Sequence, residues 1–131
     1  MPSQPLSELH FDNRFVSQLT GDEEADNYCR SVEGAFYSLV TPQSTAAPVL
    51  VSYSKQVADI LGLSSTDCGS DAFTRVFSGN EVLPSMKPFA MCYGGHQFGN
   101  WAGQLGDGRA INLGEVINTN NELAATTNGT A

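Results

Sequence analysis

The chain has 131 residues, which is enough for one small domain and too few for two, and 40% of them are hydrophobic, so a buried core is feasible. It carries 6 lysines and arginines against 14 aspartates and glutamates, a formal net charge of −8, and such a surface repels phosphate backbones and anionic lipid. Nucleic-acid and membrane binding are therefore not expected as its main roles, whereas a small anionic ligand held by one arginine is compatible with this charge.

The spacing of the cysteines and the length of the apolar runs indicate the cellular compartment in which the protein is expected. Cys29, Cys68 and Cys92 lack the paired spacing of a zinc site or a redox motif, and we expect each to be a buried or half-buried thiol in a reducing compartment. No apolar run approaches membrane-spanning length, and the first residues have neither a secretory nor a transit-peptide pattern. The expectation is a soluble, cytoplasmic protein.

The first third of the chain begins with a polar, acidic stretch. Residues 1–30 are predicted to form a solvated, loosely ordered arm. The alternative is an arm anchored to a core by its apolar residues, which are Leu9, Phe11, Phe15 and Leu19. The aromatic-rich residues 34–40 (GAFYSLV) predict a strand that ends at the turn-forming pair Thr41 and Pro42.

Two helices are predicted in the middle of the chain, after a short strand at residues 48–51 (PVLV). The first runs from a cap at Ser52 or Ser54 to Leu61, because Gly62 suits the left-handed residue that follows a helix. The second runs from a cap at Ser70 to Phe77, with Gly79 as its stop. Residues 80–88 contain two prolines and predict an irregular loop.

The last third is rich in glycine and predicts strands. Residues 89–93 predict one strand, and residues 98–105 and 109–117 flank the triplet Gly106-Asp107-Gly108. An Asp-Gly pair between two strands favours a hairpin, because the turn needs positive φ. One face of the second strand has mostly small side chains, which suits something lying over it; its residues are Ala110, Asn112, Gly114 and Val116.

A glycine-rich hairpin can lay backbone N–H groups against phosphate oxygens, since no Cβ keeps the ligand away. Arg109, directly after the turn, would add a forked cationic donor. On motif grounds alone an ordinary tight hairpin is the favoured alternative, because neither a Walker A pattern nor GxGxxG occurs. A hairpin over phosphates is also how protein kinases use their glycine loop, which is an architectural comparison only.

Two aromatic side chains of this region are candidate site residues. His96 is the one catalytic candidate, but a lone histidine among Gly, Gln and Phe is more typical of a hydrogen-bonded structural residue. Trp101, the single tryptophan, is predicted to pack in the core, with base stacking as the alternative. Glu115 and Glu122 are the only acidic residues after Asp107, so no carboxylate cluster for magnesium follows the hairpin and no metal ligand is predicted.

The run Tyr93–Glu115 (YGGHQFGNWAGQLGDGRAINLGE) resembles the signature of the selenoprotein O family. Supporting matches lie upstream in Phe11-Asp12-Asn13, Val51–Lys55 and Phe77-Ser78-Gly79, so the resemblance covers about residues 8 to 117. The family consists of protein adenylyltransferases with a pseudokinase fold. The resemblance implies transfer of AMP from ATP to Ser, Thr or Tyr hydroxyls of proteins, with Mg²⁺ as cofactor. It also implies that Gly106, Gly108 and Arg109 contact the nucleotide.

The resemblance implies an α+β fold that forms part of a kinase-like N-lobe, with an antiparallel Gly-rich hairpin and short helices. We predict an N-terminal extension at 1–33, the partial lobe at 34–120, and a divergent, disordered tail at 121–131. The family's lysine, catalytic aspartate and magnesium ligands have no counterpart after the hairpin, so no catalytic residue is assigned and the chain alone is predicted to be inactive. A non-catalytic nucleotide-binding or protein-interaction fragment is the alternative, and the family also allows a mitochondrial location.

Overall fold

Two antiparallel sheets and four short helices make up the residues that the computed structural model describes, 5–105 and 110–128. This is the predicted α+β fold, and it is consistent with a kinase-like N-terminal lobe. The longest helices in the described ranges have seven residues, so none of them has the length or apolarity to cross a bilayer.

The elements are short and follow one another in a mixed order. A 3-10 turn at Leu6–Glu8 opens the described chain. The helices are α1 Arg14–Gln18, α2 Lys55–Leu61, α3 Ser65–Cys68 and α4 Asp71–Phe77. The strands are β1 His10–Phe11, β2 Tyr37–Leu39, β3 Phe89–Met91, β4 Tyr93–Gln97, β5 Asn100–Leu105, β6 Ile111–Ile117 and β7 Leu123–Asn128.

Strand β6 is the centre of the five-stranded sheet. Strand β7 pairs along one of its edges, with Ile117 opposite Leu123. The other edge is shared by β1, through Phe11 opposite Val116, and by β3, and β2 then pairs with β3. Strands from both ends of the described chain therefore meet on β6.

The hydrophobic core lies between β6 and the helices. Leu113 and Val116 of β6 are fully buried, as are Cys68 of α3 and Val76 of α4. The same cluster contains apolar residues from the N-terminal segment, from α2 and the segment after it, from α4 and from the loop before β3, which are Leu6, Leu9, Phe11, Ala58, Leu61, Leu63, Phe73 and Met86. Burial of these apolar side chains makes the largest favourable contribution to the free energy of packing the sheet against the helices.

Capping residues in the sequence correctly predict where α2 and α4 begin and where α2 ends. Ser54 accepts from the Val57 N–H at the start of α2, and Gly62 ends the helix in the left-handed region at φ 79°, as predicted. Ser70 caps α4 in the same way, through the Phe73 N–H. Helix α3 was not predicted, although Ser64 and Asp67 form a reciprocal capping box at its start.

The first residues are anchored and the acidic stretch that follows them is exposed. Leu9 and Phe11 are buried in the core, and the Phe15 ring stacks on Phe89 with centroids 4.9 Å apart, as in the anchored alternative. Residues 23–29 are solvent-exposed. Cys29 lies in this stretch, so the expectation that every thiol is at least half-buried is wrong for it; Cys68 is buried and Cys92 half-buried.

Two segments differ from the local pattern. Residues 48–51 form no strand, and Val49 and Val51 are exposed, because a β-prone run becomes a strand only where a partner edge is present. In the segment predicted as a disordered tail, Leu123–Asn128 form β7. Pairing with the long edge of β6 orders this polar stretch despite its weak strand propensity.

Candidate functional site

The glycine-rich hairpin of the described chain is formed by β4 and β5. Tyr93 pairs with Leu105 and Gln97 with Asn100, and the turn passes through Phe98 and Gly99 at φ 52° and 80°. Two successive positive-φ residues are typical of the tight turns that suit twisted hairpins. The predicted pairing of residues 98–105 with 109–117 is therefore wrong within the described ranges, because β5 pairs with β4 and the edges of β6 are taken by β1, β3 and β7.

The predicted nucleotide-contacting residues Gly106, Gly108 and Arg109 lie outside the described residues. The structure describes the strands that precede and follow these residues. Leu105 ends β5 in the small sheet, and Ile111 begins β6 in the large sheet. Residues 106–110 therefore connect the glycine-rich hairpin to the central strand along the chain, and the role of residues 106, 108 and 109 in binding stays a prediction.

Trp101 packs against the hairpin at Gly94. A Cβ at Gly94 would be 2.6 Å from the Trp101 Cη2 atom, so only glycine leaves room for the indole in this position. Trp101 is 64% exposed, which corrects the prediction that it packs in the core. The exposed His96 ring contacts the indole edge-on, with centroids 5.1 Å apart.

The Phe11 side chain of the N-terminal segment lies against Gly114, on the small-sided face of β6. A Cβ at Gly114 would be 2.6 Å from the Phe11 Cδ1 atom, and the φ of Gly114 is 153°, which L side chains rarely adopt. Glu115 fixes the same segment, since its backbone oxygen accepts from the Asp12 N–H at 2.8 Å and its Oε2 from the Phe15 N–H at 2.6 Å. The N-terminal segment therefore fixes β6 at Glu115, six residues after Arg109, the residue predicted to contact the nucleotide.

Gln104 connects β5 of the hairpin to Val32, which follows the acidic stretch. Its Oε1 accepts from the Val32 N–H at 2.6 Å, and its Nε2 donates to the Val32 carbonyl at 2.6 Å. Gln104 also lines a small pocket of about 140 Å³ with Arg30, Ser38 and Cys92. Arg30 and Gln104 are far apart in the sequence, and only the fold brings them to one pocket.

An ion pair holds Arg30, one of the residues that line this pocket. Arg30 pairs with Asp22, and Ser38 Oγ donates to the same Asp22 carboxylate at 3.0 Å. The hydrogen bond from Arg30 holds the pKa of Asp22 below its ordinary value, and Asp22 in turn raises the pKa of Arg30. Burial raises the pKa of the Cys92 thiol, so this group stays protonated near neutral pH and is a poor nucleophile.

Magnesium ligands are not found in this part of the protein. Among the described residues, no group of three His, Cys, Asp or Glu side chains is placed to hold a metal ion. Lys55 and Lys87 are exposed, as expected for surface lysines. The residues present therefore do not form a metal site within the described ranges, and Mg²⁺ is assigned to none of them.

Comparison with known proteins matches a family over most of the chain. The family model described as protein adenylyltransferase SelO matches residues 23–130, which include the segment 121–130 that the sequence alone set apart from the family. A protein nucleotidyltransferase YdiU of Azoarcus sp. (strain BH72) is 58% identical over 110 residues, which are 84% of this chain and 21% of that protein.

Two further relatives carry the same name and extend the likeness. The protein of Aromatoleum aromaticum is 53% identical over 114 residues, 87% of this chain and 22% of its own length. That of Rhodopirellula baltica is 56% identical over 110 residues, 84% of this chain and 20% of its own length. The chain thus spans about a fifth of the length of the curated relatives that it matches.

Proposed function

Because this chain belongs to the protein adenylyltransferase SelO family, we propose that it forms part of the N-terminal lobe of an enzyme that transfers AMP from ATP to Ser, Thr or Tyr hydroxyls of proteins. The relatives are named protein nucleotidyltransferases, which supports the reaction class. The observation that supports the proposal is that the described residues on either side of positions 106–109 form a glycine-rich hairpin and a strand buried in the core.

In the proposed site, the glycines at 106 and 108 let backbone N–H groups approach the phosphates, and Arg109 supplies a permanent positive charge. A protein hydroxyl oxygen attacks the α-phosphorus and loses its proton. The bond from the α-phosphorus to the oxygen that bridges to the β-phosphate breaks, and pyrophosphate leaves. The arginine stabilises the negative charge that develops on the phosphate oxygens.

The described residues support only one wall of such a site. Magnesium ions would neutralise the charge on the phosphates, but no described residue is assigned to them. We therefore propose that the 131-residue chain alone has negligible transferase activity. A non-catalytic nucleotide-binding or protein-interaction fragment is the second candidate function.

Calorimetric titration of the chain with ATP, with and without Mg²⁺, tests the nucleotide contact. The wild type is compared with Arg109→Ala, and Arg75→Ala is the matched control, because Arg75 lies on α4 in an exposed ion pair with Glu81. A charge-assisted contact to phosphate is worth about 1.5–3 kcal/mol, so Arg109→Ala should weaken ATP binding about tenfold or more and Arg75→Ala should leave it unchanged.

The outcomes separate the two candidates. Binding that depends on Arg109 supports the proposed site. Equal ATP affinity in both arginine variants removes Arg109 from the site, and no measurable binding of ATP by the folded chain favours the interaction fragment.

A further inference from the structure

Two adjacent pockets form a groove beside strand β2. The smaller, of about 140 Å³, is the pocket that Gln104 lines, and the larger has a volume of about 600 Å³. Asn27, Leu39 and Val40 line both pockets, so the two are contiguous. We name this pair of pockets the β2 groove. It extends from the acidic stretch to Gln104, which lies two residues before the predicted nucleotide-contacting loop.

The β2 groove has an apolar lining that this chain leaves partly uncovered. Leu39 of β2 is 51% exposed and Met91 of β3 is 46% exposed, and these two strands are paired in the large sheet. Val40 and Pro88 extend the lining, and the Val40 N–H donates to the Pro88 carbonyl at 3.1 Å. A concave surface that rests on a hydrogen-bonded sheet is already formed before a ligand arrives, which is typical of binding clefts.

The charged side chains that line the groove are mostly acidic. Three carboxylates of the lining form no ion pair with any described residue, and these are Glu23, Glu24 and Asp26. Asp22 is neutralised by Arg30, so Lys87 is the cation of the described lining that offsets the three carboxylates. An excess of two negative charges therefore surrounds an apolar concavity.

We propose that the β2 groove binds a basic segment of the protein substrate, so that the substrate class is proteins with lysine or arginine beside the acceptor hydroxyl. This inference rests on the proposed function. The aliphatic stem of a lysine or arginine can pack on Leu39 and Val40 while its charged end meets the carboxylates of the acidic stretch. The same carboxylates repel nucleotides, and a second copy of this chain, with its formal charge of −8, is repelled as well.

The position of the groove fits a role in presenting the substrate. Val32 and Gln104, which are joined by two hydrogen bonds, both line the smaller pocket. A segment in this pocket therefore lies beside the end of β5. Two residues of chain span at most about 7 Å, so the loop that follows Gln104 begins within that distance of the groove.

Fluorescence anisotropy with three labelled peptides tests the groove in the 131-residue chain. The peptides are short segments of glycine, alanine and one serine, and they differ only in carrying arginine, glutamine or glutamate beside the serine. The groove variant is Glu23→Gln with Glu24→Gln. The matched control is Glu8→Gln with Asp59→Asn, because these two carboxylates are exposed, line neither pocket and change the net charge by the same amount.

We expect the arginine peptide to bind at least tenfold more tightly than the glutamate peptide. The groove variant should weaken its binding about threefold to tenfold, since two partly exposed ion pairs are lost, and the control should bind it as the wild type does. Leu39→Asn should weaken it as well, whereas Val51→Asn, at a 95% exposed position outside the groove, should not.

Two results of the binding experiment overturn the proposal. One is equal affinity of the wild type for the three peptides. The other is an equal loss of affinity in the groove variant and the charge-matched control, which would assign the attraction to the net charge of the chain.

Transfer kinetics separate this inference from the proposed function. In a chimaera in which this chain replaces the matched 110 residues of the Azoarcus relative, the groove variant should raise the KM for the arginine peptide about threefold to tenfold and leave the KM for ATP unchanged. An unchanged KM for the peptide overturns the groove as the substrate site. A chimaera that transfers no AMP, while the chain still binds the arginine peptide through the groove, contradicts the proposed reaction and supports the basic-peptide site.

Discussion

The Gln104 side-chain amide makes both hydrogen bonds of a strand-like pair with the main chain of Val32, accepting from its N–H and donating to its carbonyl at 2.6 Å each. The two residues are 72 positions apart, so this contact closes a long loop. It fastens the stretch after the acidic run to β5, two residues before the predicted nucleotide-contacting loop. Gln104 therefore positions one end of that loop.

Gln104→Ala should lower the free energy of unfolding by about 1 kcal/mol, because two hydrogen bonds are lost at an exposed site where water replaces them in part. Urea unfolding measures this change. Amide exchange at Val32 should accelerate in the variant, since its N–H loses its acceptor. Gln43→Ala, at an exposed loop position, is the control and should change neither quantity. Unchanged exchange at Val32 would show that the clamp is not formed in solution.

Gly114→Ala should be one of the most destabilising single-methyl additions in the chain. Its Cβ would be 2.6 Å from the Phe11 ring, and its φ of 153° is unfavourable for any L side chain. Overpacking and backbone strain together predict a loss of about 2–4 kcal/mol in the free energy of unfolding.

A double-mutant cycle isolates the contact between the two residues. Phe11→Leu should relieve part of the clash, so the cost of Gly114→Ala should be smaller in the Phe11→Leu background. Gly69→Ala is the matched control, because its Cβ would meet only the Ser65 carbonyl at 3.4 Å and the Thr66 carbonyl at 3.7 Å. If Gly114→Ala lowers the free energy of unfolding equally in both backgrounds, the Phe11 ring does not contact Gly114.

The Asp22–Arg30 pair predicts a dependence of stability on acid pH. The pKa of Asp22 is lowered in the folded chain, so its contribution is fully present above the unfolded pKa of about 3.9 and is lost as the pH falls through the folded value. The urea midpoint of the wild type should therefore exceed that of Asp22→Asn at pH 6, and the difference should narrow at pH 3. Asp71→Asn, at the exposed start of α4, is the carboxylate control. A difference that stays constant from pH 6 to pH 3 would exclude the ionised pair as its source.

Local chemistry in the sequence was sufficient for α2 and α4, because the signals for their ends are single residues such as Ser54, Gly62 and Ser70. It was not sufficient for strand pairing. The hairpin prediction at Gly106–Gly108 used the Asp-Gly signal, whereas the structure forms its hairpin at Phe98-Gly99, and which edges of β6 are free depends on β1 and β7 from the two ends of the described chain.

For the candidate site, too, local residue patterns could be predicted from the sequence, whereas contacts between distant residues could not. The motif identified the family, which the match to residues 23–130 confirms, but the supports of the loop came only from the fold. Phe11 over Gly114 and Gln104 on Val32 join residues 72 or more positions apart. No periodicity in the sequence indicates such pairs, since each depends on the whole sheet being assembled.

Transfer of labelled AMP by a chimaera, in which this chain replaces the matched 110 residues of the Azoarcus relative, tests the central claim most directly. The chimaera is incubated with α-³²P-labelled ATP, Mg²⁺ and protein substrate, and its labelling activity is compared with that of its Arg109→Ala and Arg75→Ala variants. We predict that the chimaera labels protein, that Arg109→Ala reduces the rate about tenfold or more, and that Arg75→Ala leaves it unchanged. A cooperatively folded chimaera that transfers no label, or one whose rate is indifferent to Arg109→Ala, would contradict the account.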